Sequence, residues 1–200
     1  MKKKKKKEQN FFKKNDFIQS AKFIASFTAI FSVLYITYPL YVLQIELFYS
    51  LIELFFLQLI GFQGSIQLKP ELESVWILLP NLTVQISFLC TGLIEFFVLI
   101  AAILSSFGIN LRKKLIGIFF ASITVLVFNL IRIFATILLI HNSTFEVADL
   151  AHDFFFRASL FIVIVGFYGL WFYYAAGKME KDKRFRRINS FLSKAEELIT

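Results

Sequence analysis

The sequence predicts an all-α integral membrane protein, with about four to six transmembrane helices and a small β element just before Cys90. Three observations predict it. Apolar residues make up 58% of the chain, against roughly 45–50% in a soluble domain. Charge is gathered at the two ends and in one internal cluster, leaving apolar stretches of about 20 residues, the length that crosses a hydrocarbon core. Shortly before Cys90 the hydrophobic period changes from helical to two. These features exclude a soluble enzyme, a disordered chain and a disulfide scaffold. The net charge of +8 does not argue for nucleic acid, because basic residues beside apolar spans set membrane orientation. No nucleic-acid partner is expected.

Residues 1–20 read as a basic cytoplasmic N-terminus carrying Lys2 to Lys7, Lys13 and Lys14. The apolar run from about residue 17 to 43 is too long for a signal peptide and lacks a small-residue cleavage site close behind it. An uncleaved first helix over 21–43 is expected instead. Residues 178–200 read as a basic cytoplasmic tail with the look of a surface helix. Arg112, Lys113 and Lys114 form a third basic cluster. The 22 basic residues all lie in or beside these three groups except Lys69, Arg132 and Arg157.

Placing the three groups in the cytoplasm assigns the spans of a polytopic membrane domain over 21–177. Residues 21–43 leave the cytoplasm, 91–110 return, 115–140 leave again and 154–177 return. This parity puts residues 44–90 on the outer side. Residues 44–62 are apolar enough to span, but they carry Glu46 and Glu53, seven apart and on one helix face. A helix lying in the outer interface or partly re-entrant is expected there. A hairpin crossing together with residues 75–90 is the alternative. Residues 65–69 and 82–88 alternate apolar with polar and read as strands bounded by Pro70 and Pro80.

Chemistry has few candidates. Cys90 is the single cysteine, so neither an internal disulfide nor a cysteine metal site is possible. No His-x-x-x-His pair and no phosphate-type glycine loop occurs, and no metal or cofactor is expected. The 27 phenylalanines read as lipid-facing and packing residues.

Arg132 lies 17 residues after Leu115, about 25 Å along a helix and near the outer end of the span. An arginine there costs about 2.5–3.5 kcal/mol on insertion scales, so it must snorkel or pair with a neighbour such as Glu95. Asn129 is one turn earlier on the same face. Cys90 at the outer end of the second span, His141 at the end of the third and His152 before the fourth map to the same leaflet as Arg132. Taken singly, Cys90 reads as a small buried hydrophobe. Taken with imidazoles it has the makings of a thiol nucleophile. A nearby arginine and a helix N-terminus both favour a negative sulfur, and the arginine is equally suited to an oxyanion.

Cys90-Thr91-Gly92 opening a helix, Asn129-Leu130-Ile131-Arg132 on the next and His152 before the last, in this order and at these depths, resemble the exosortase/archaeosortase family over about residues 85–176. The resemblance implies a multi-pass cell-membrane cysteine transpeptidase with its active site on the outer face. Its partners would be exported proteins with a C-terminal tag of short motif, apolar helix and basic end, and a lipid-derived acceptor. Cys90 would be the nucleophile and Arg132 the second site residue. The third would be His152, with Arg157 as the alternative, because the family varies between His and Arg there. Glu95 and Asn129 would orient these groups. Two non-enzymatic readings stand beside this one. In a transporter's substrate-binding subunit Arg132 would hold an anionic solute and Cys90 would only pack. An assembly factor would depend steeply on none of these residues. The sequence specifies no oligomeric state.

Overall fold

A computed structural model describes residues 2–69, 74–142 and 161–177. Helix α1 (Lys2–Thr37) runs unbroken through the expected boundary at residue 20. Phe23, Phe27, Phe31 and Tyr35 stack in a ladder along it, four residues apart, with ring centroids 6.0–6.3 Å from one another. Pro39 has no amide hydrogen to continue the helix, and the chain passes through a 3-10 turn over Tyr38–Leu40 into α2 (Val42–Leu59).

The acidic residues were expected to keep residues 44–62 at the interface. The fold instead turns them inward: Glu46, Ser50 and Glu53 are buried on the face of α2 that also carries Tyr49 and Leu57. The opposite face exposes Phe48, Leu51, Phe55 and Leu59. With its polar stripe covered, α2 joins α1 and α4 among the helices long and apolar enough to cross a membrane.

Three antiparallel strands follow in the order β1 (Ser65–Lys69), β2 (Ser74–Leu79), β3 (Leu82–Ile86). β1 and β3 fall where alternation predicts them. β2 corrects the alternative of a crossing hairpin over 75–90. Its run Ser74-Val75-Trp76-Ile77-Leu78-Leu79 lacks alternation, because a central strand packed beneath other elements reads as continuous apolar sequence. Val75 and Ile77 are fully buried. The sheet packs on α2 and on the second half of α4 (Leu111–Asn142), where Tyr49, Leu57, Ile77, Ile86, Ile133 and Ile137 form a core that Cys90 touches.

α3 (Leu93–Ser105) corrects the expected 20-residue return helix over 91–110. Its 13 residues span about 20 Å, short of a hydrocarbon core about 30 Å thick. Non-helical chain continues it at both ends, from the Phe88–Cys90 turn and into Ser106. Ser106 and Ile109 beyond its C-terminus are buried, the condition under which irregular backbone is tolerated at membrane depth. α3 packs against α1 and α4. The last described helix, α5 (Ile162–Gly177), opens with a π-helical stretch over Ile162–Phe167 and covers α3 and α4 through Val163, Phe167 and Trp171.

The ends of the helices fix their relative direction. Lys114 Nζ donates to the Leu104 carbonyl at the end of α3, and Lys113 Nζ donates to the Ala175 carbonyl at the end of α5, 3.1 Å away. Lysines satisfy carbonyls that a helix C-terminus leaves without an internal partner. The Trp171 indole closes the same end by donating to the Lys113 carbonyl at 3.2 Å, over Gly117, where a Cβ would overlap the ring. Both α3 and α5 therefore run antiparallel to α4. The Cys90 turn lies at the opposite end of α3 from this lysine cluster.

Candidate active site

The site is built on the passage from β3 to α3. Ser87 keeps an extended backbone, with φ −102° and ψ 165°. Phe88, Leu89 and Cys90 then form one 3-10 turn, closed by the Cys90 amide donating to the Ser87 carbonyl at 2.8 Å. The Thr91 hydroxyl ties the turn down from the other side by donating to the Phe88 carbonyl at 2.7 Å. The Phe88 ring stacks on Tyr38 at 4.2 Å, which anchors the turn to the end of α1.

Gly92 reverses the chain into α3 with φ +72°, a conformation that costs an L side chain about 1–2 kcal/mol. Glycine is required there a second time for space, since a Cβ would overlap the Asn129 side chain. Asn129 is held in that position by its amide donating to the Val125 carbonyl at 2.8 Å. Cys90 was expected at a helix N-terminus. Thr91 and Gly92 instead separate it from α3, so the sulfur sits on a turn beside the helix rather than in its first residues.

Arg132 reaches this turn from α4. Its Nη2 donates to the carbonyls of Leu89 and Cys90 at 3.1 and 2.9 Å. Its Nη1 lies 3.7 Å from Glu95 Oε1, and both side chains are almost wholly buried. Pairing with Glu95, one of the two expected ways of accommodating the arginine, is the arrangement found. One nitrogen of the guanidinium binds the two successive carbonyls while the other faces the carboxylate, so a single planar group holds the turn on one side and Glu95 on the other. The arginine also lies within electrostatic reach of Cys90 and Tyr49. Cys90 Sγ is half-buried and 3.4 Å from Ser87 Oγ. Tyr49 lies within electrostatic reach of Arg132, Glu95 and Glu53, which extends the cluster toward α2.

The fold thus brings Cys90, Glu95, Asn129 and Arg132 together. It does not bring His141 to them. His141 is exposed, meets the edge of Phe62 at 4.8 Å, and lies nine residues beyond Arg132, about 13.5 Å further along α4. The helix continues unbroken to Asn142 and carries His141 past the site, so the expectation that it shares the level of Arg132 is corrected. His152 and Arg157 lie outside the described residues.

Three neighbours escaped the sequence reading. Tyr49 and Glu53 had a visible signal, since Glu46, Tyr49 and Glu53 recur at helical spacing within an apolar run. Ser87 had none, because it looks like the last polar residue of an alternating strand. Among the described residues no cluster of three or more His, Cys, Asp or Glu has the makings of a metal site.

Comparison with known proteins agrees with this layout. The sequence model of the transmembrane exosortase family matches residues 19–172, most of the chain, and includes both the Cys90 turn and Arg132. No curated protein and no solved structure matches. A chain matched over that length, apolar throughout and built as a helical bundle with a small sheet, belongs to the transmembrane exosortase family.

Proposed function

We propose that this chain is a membrane cysteine transpeptidase that removes the C-terminal sorting tag of exported proteins and passes the new C-terminus to a lipid-derived acceptor. Family membership supports a transpeptidase-like role. The observation that carries the assignment of Cys90 is the grip of Arg132 on the carbonyls of Leu89 and Cys90, which fixes the turn bearing the sole thiol beside a buried positive charge. A cation held against a thiol favours the thiolate, the form that attacks.

In the mechanism the Cys90 thiolate adds to the scissile carbonyl and forms a carbon–sulfur bond. The resulting oxyanion collapses, the carbon–nitrogen bond breaks, and the leaving amine takes a proton from the His152 imidazolium. An acceptor nucleophile then gives a proton to the imidazole and attacks the thioester, returning the thiolate. Arg132 acts through position and charge. Two of its bonds are committed to the turn, so it holds the sulfur in place and raises the potential there. Arg157 is the alternative third residue, and because a guanidinium stays protonated it would bind the oxyanion rather than carry the proton.

The orientation belongs to the same proposal. The basic termini and the Arg112–Lys114 cluster face the cytoplasm and the Cys90 end faces outward, where exported tags arrive. The test is processing of a co-expressed tagged substrate in cells carrying wild type, Cys90→Ala, Cys90→Ser, Arg132→Ala or His152→Ala at matched membrane levels. Removal of the tag by wild type alone is expected. Normal processing by Cys90→Ala overturns the nucleophile and leaves Cys90 a packing residue.

A further inference from the structure

The strand that leads into the site has an open side. β2 is paired on both edges, with β1 and with β3, whereas β3 pairs only with β2 among the described residues. The register settles which groups face the open edge. β2 and β3 are joined by the two-residue loop Pro80-Asn81, and Leu79 pairs with Leu82. In an antiparallel ladder hydrogen-bonded pairs alternate with non-bonded ones, so the bonded pairs are Leu79 with Leu82, Ile77 with Val84 and Val75 with Ile86. The main-chain N–H and C=O of Thr83 and Gln85 therefore point away from β2. Both residues are also exposed.

This edge is continuous with the thiol. Ser87 extends β3 by one residue before the 3-10 turn begins, and its hydroxyl lies 3.4 Å from Cys90 Sγ. A polypeptide paired with Thr83 and Gln85 would lie about 4.8 Å from β3 and run directly past the sulfur. An exposed edge is a template for pairing with another chain, and strand addition to such an edge is one of the ways a protein binds an extended peptide. Main-chain bonds then supply affinity for any sequence, and alternate side chains supply the selection.

We propose that the free edge of β3 binds the extended segment of the substrate around its scissile bond, using the backbone of Thr83 and Gln85 to deliver the carbonyl to Cys90. The proposal deepens the thiol transpeptidase reading and rests on it. It makes the sheet the substrate-aligning element of the enzyme and the Ser87–Cys90 turn the point where alignment becomes attack.

The test uses full-length protein in membranes and a reporter fused to a C-terminal tag that wild type processes. Thr83→Pro and Gln85→Pro each delete one outward N–H and leave the β2 ladder intact, since proline is tolerated where an edge N–H faces away. Each is expected to slow processing about tenfold at wild-type membrane levels, the loss of one or two main-chain bonds. Thr83→Ala and Gln85→Ala keep the backbone and are expected to stay within about twofold. Val84→Pro removes a ladder bond and serves as the folding control.

A second measurement is independent of turnover. In a Cys90→Ala background, single cysteines at positions 83 and 85 are expected to cross-link on oxidation to substrate cysteines spaced two residues apart. Wild-type processing by the proline variants, or cross-links without a two-residue period, overturns the edge. Those results leave the thiol reading standing if Cys90→Ala is inactive. Normal processing by Cys90→Ala sinks the thiol reading itself.

Discussion

Asn129 occupies the space in which a side chain on Gly92 would lie, so a residue of α4 dictates that the turn into α3 must be glycine. Two costs meet at that position, one from backbone and one from packing. Gly92→Ala is expected to lose about 1–2 kcal/mol to the left-handed backbone alone, and more to the displaced amide. Combining it with Asn129→Gly is expected to recover the packing part and leave the backbone part. Thermal unfolding in detergent of the two single variants and the double variant separates the terms. An additive double variant, with no recovery, shows that the two residues do not share the space.

The Arg132–Glu95 pair makes a prediction about stability rather than catalysis. Both side chains are buried, and removal of one partner leaves the other charge uncompensated. Arg132→Met alone is expected to destabilise by about 3–5 kcal/mol, whereas Arg132→Met with Glu95→Gln should recover much of that loss. Both should fail to process substrate. The shifts in melting temperature of Arg132→Met, Glu95→Gln and the double variant read the coupling.

Arg132→Lys separates charge from geometry. Lysine keeps the positive charge but ends in a single nitrogen, so it lacks the fork that holds two carbonyls at 3.1 and 2.9 Å with one nitrogen and faces Glu95 with the other. Processing is expected to fall about tenfold to a hundredfold, short of the complete loss in Arg132→Ala, because one or two charge-assisted bonds are lost. Equal loss in both variants shows that the fork, and not the charge, is what the site needs.

Ser87 offers a finer probe of the sulfur. Its hydroxyl is 3.4 Å from Cys90 Sγ and stabilises a thiolate when it donates to it. Ser87→Ala is expected to slow alkylation of Cys90 by a soluble thiol reagent a few-fold at neutral pH, with folding unchanged. Faster alkylation shows that the serine shields the sulfur instead of activating it.

At the other end of the molecule, Gly117 lies beneath the Trp171 indole. Gly117→Val is expected to force α5 away from α4 and cost about 1–3 kcal/mol by overpacking. The Cys90 turn is anchored through Tyr38, Asn129 and Arg132 and does not use this contact, so alkylation of Cys90 should persist in the folded fraction. Loss of thiol reactivity in step with α5 packing shows that the two ends are coupled.

Patterning by itself determined the class of this protein. Long apolar runs, basic residues gathered mostly in three groups and a change of period before Cys90 are local properties, and the helices and two of the strands follow from them. The polar residues near Cys90 were legible for a similar reason, because Glu95, Asn129 and Arg132 are costly in an apolar setting and announce themselves wherever they occur. β2 was hidden, since Val75 to Leu79 are apolar on both faces of the strand and leave no alternation to read. The shortness of α3 was hidden too, because its turns are made by residues that would be helical elsewhere and are held out of the helix by Gly92 and by carbonyls bound to Arg132. Only tertiary structure decided that Arg132 grips the backbone of the cysteine turn, that Glu46 and Glu53 face inward, and that His141 lies beyond the site. Each of these depends on how far and in which direction a helix from a distant part of the chain has been carried by packing, and one-dimensional spacing does not record that distance.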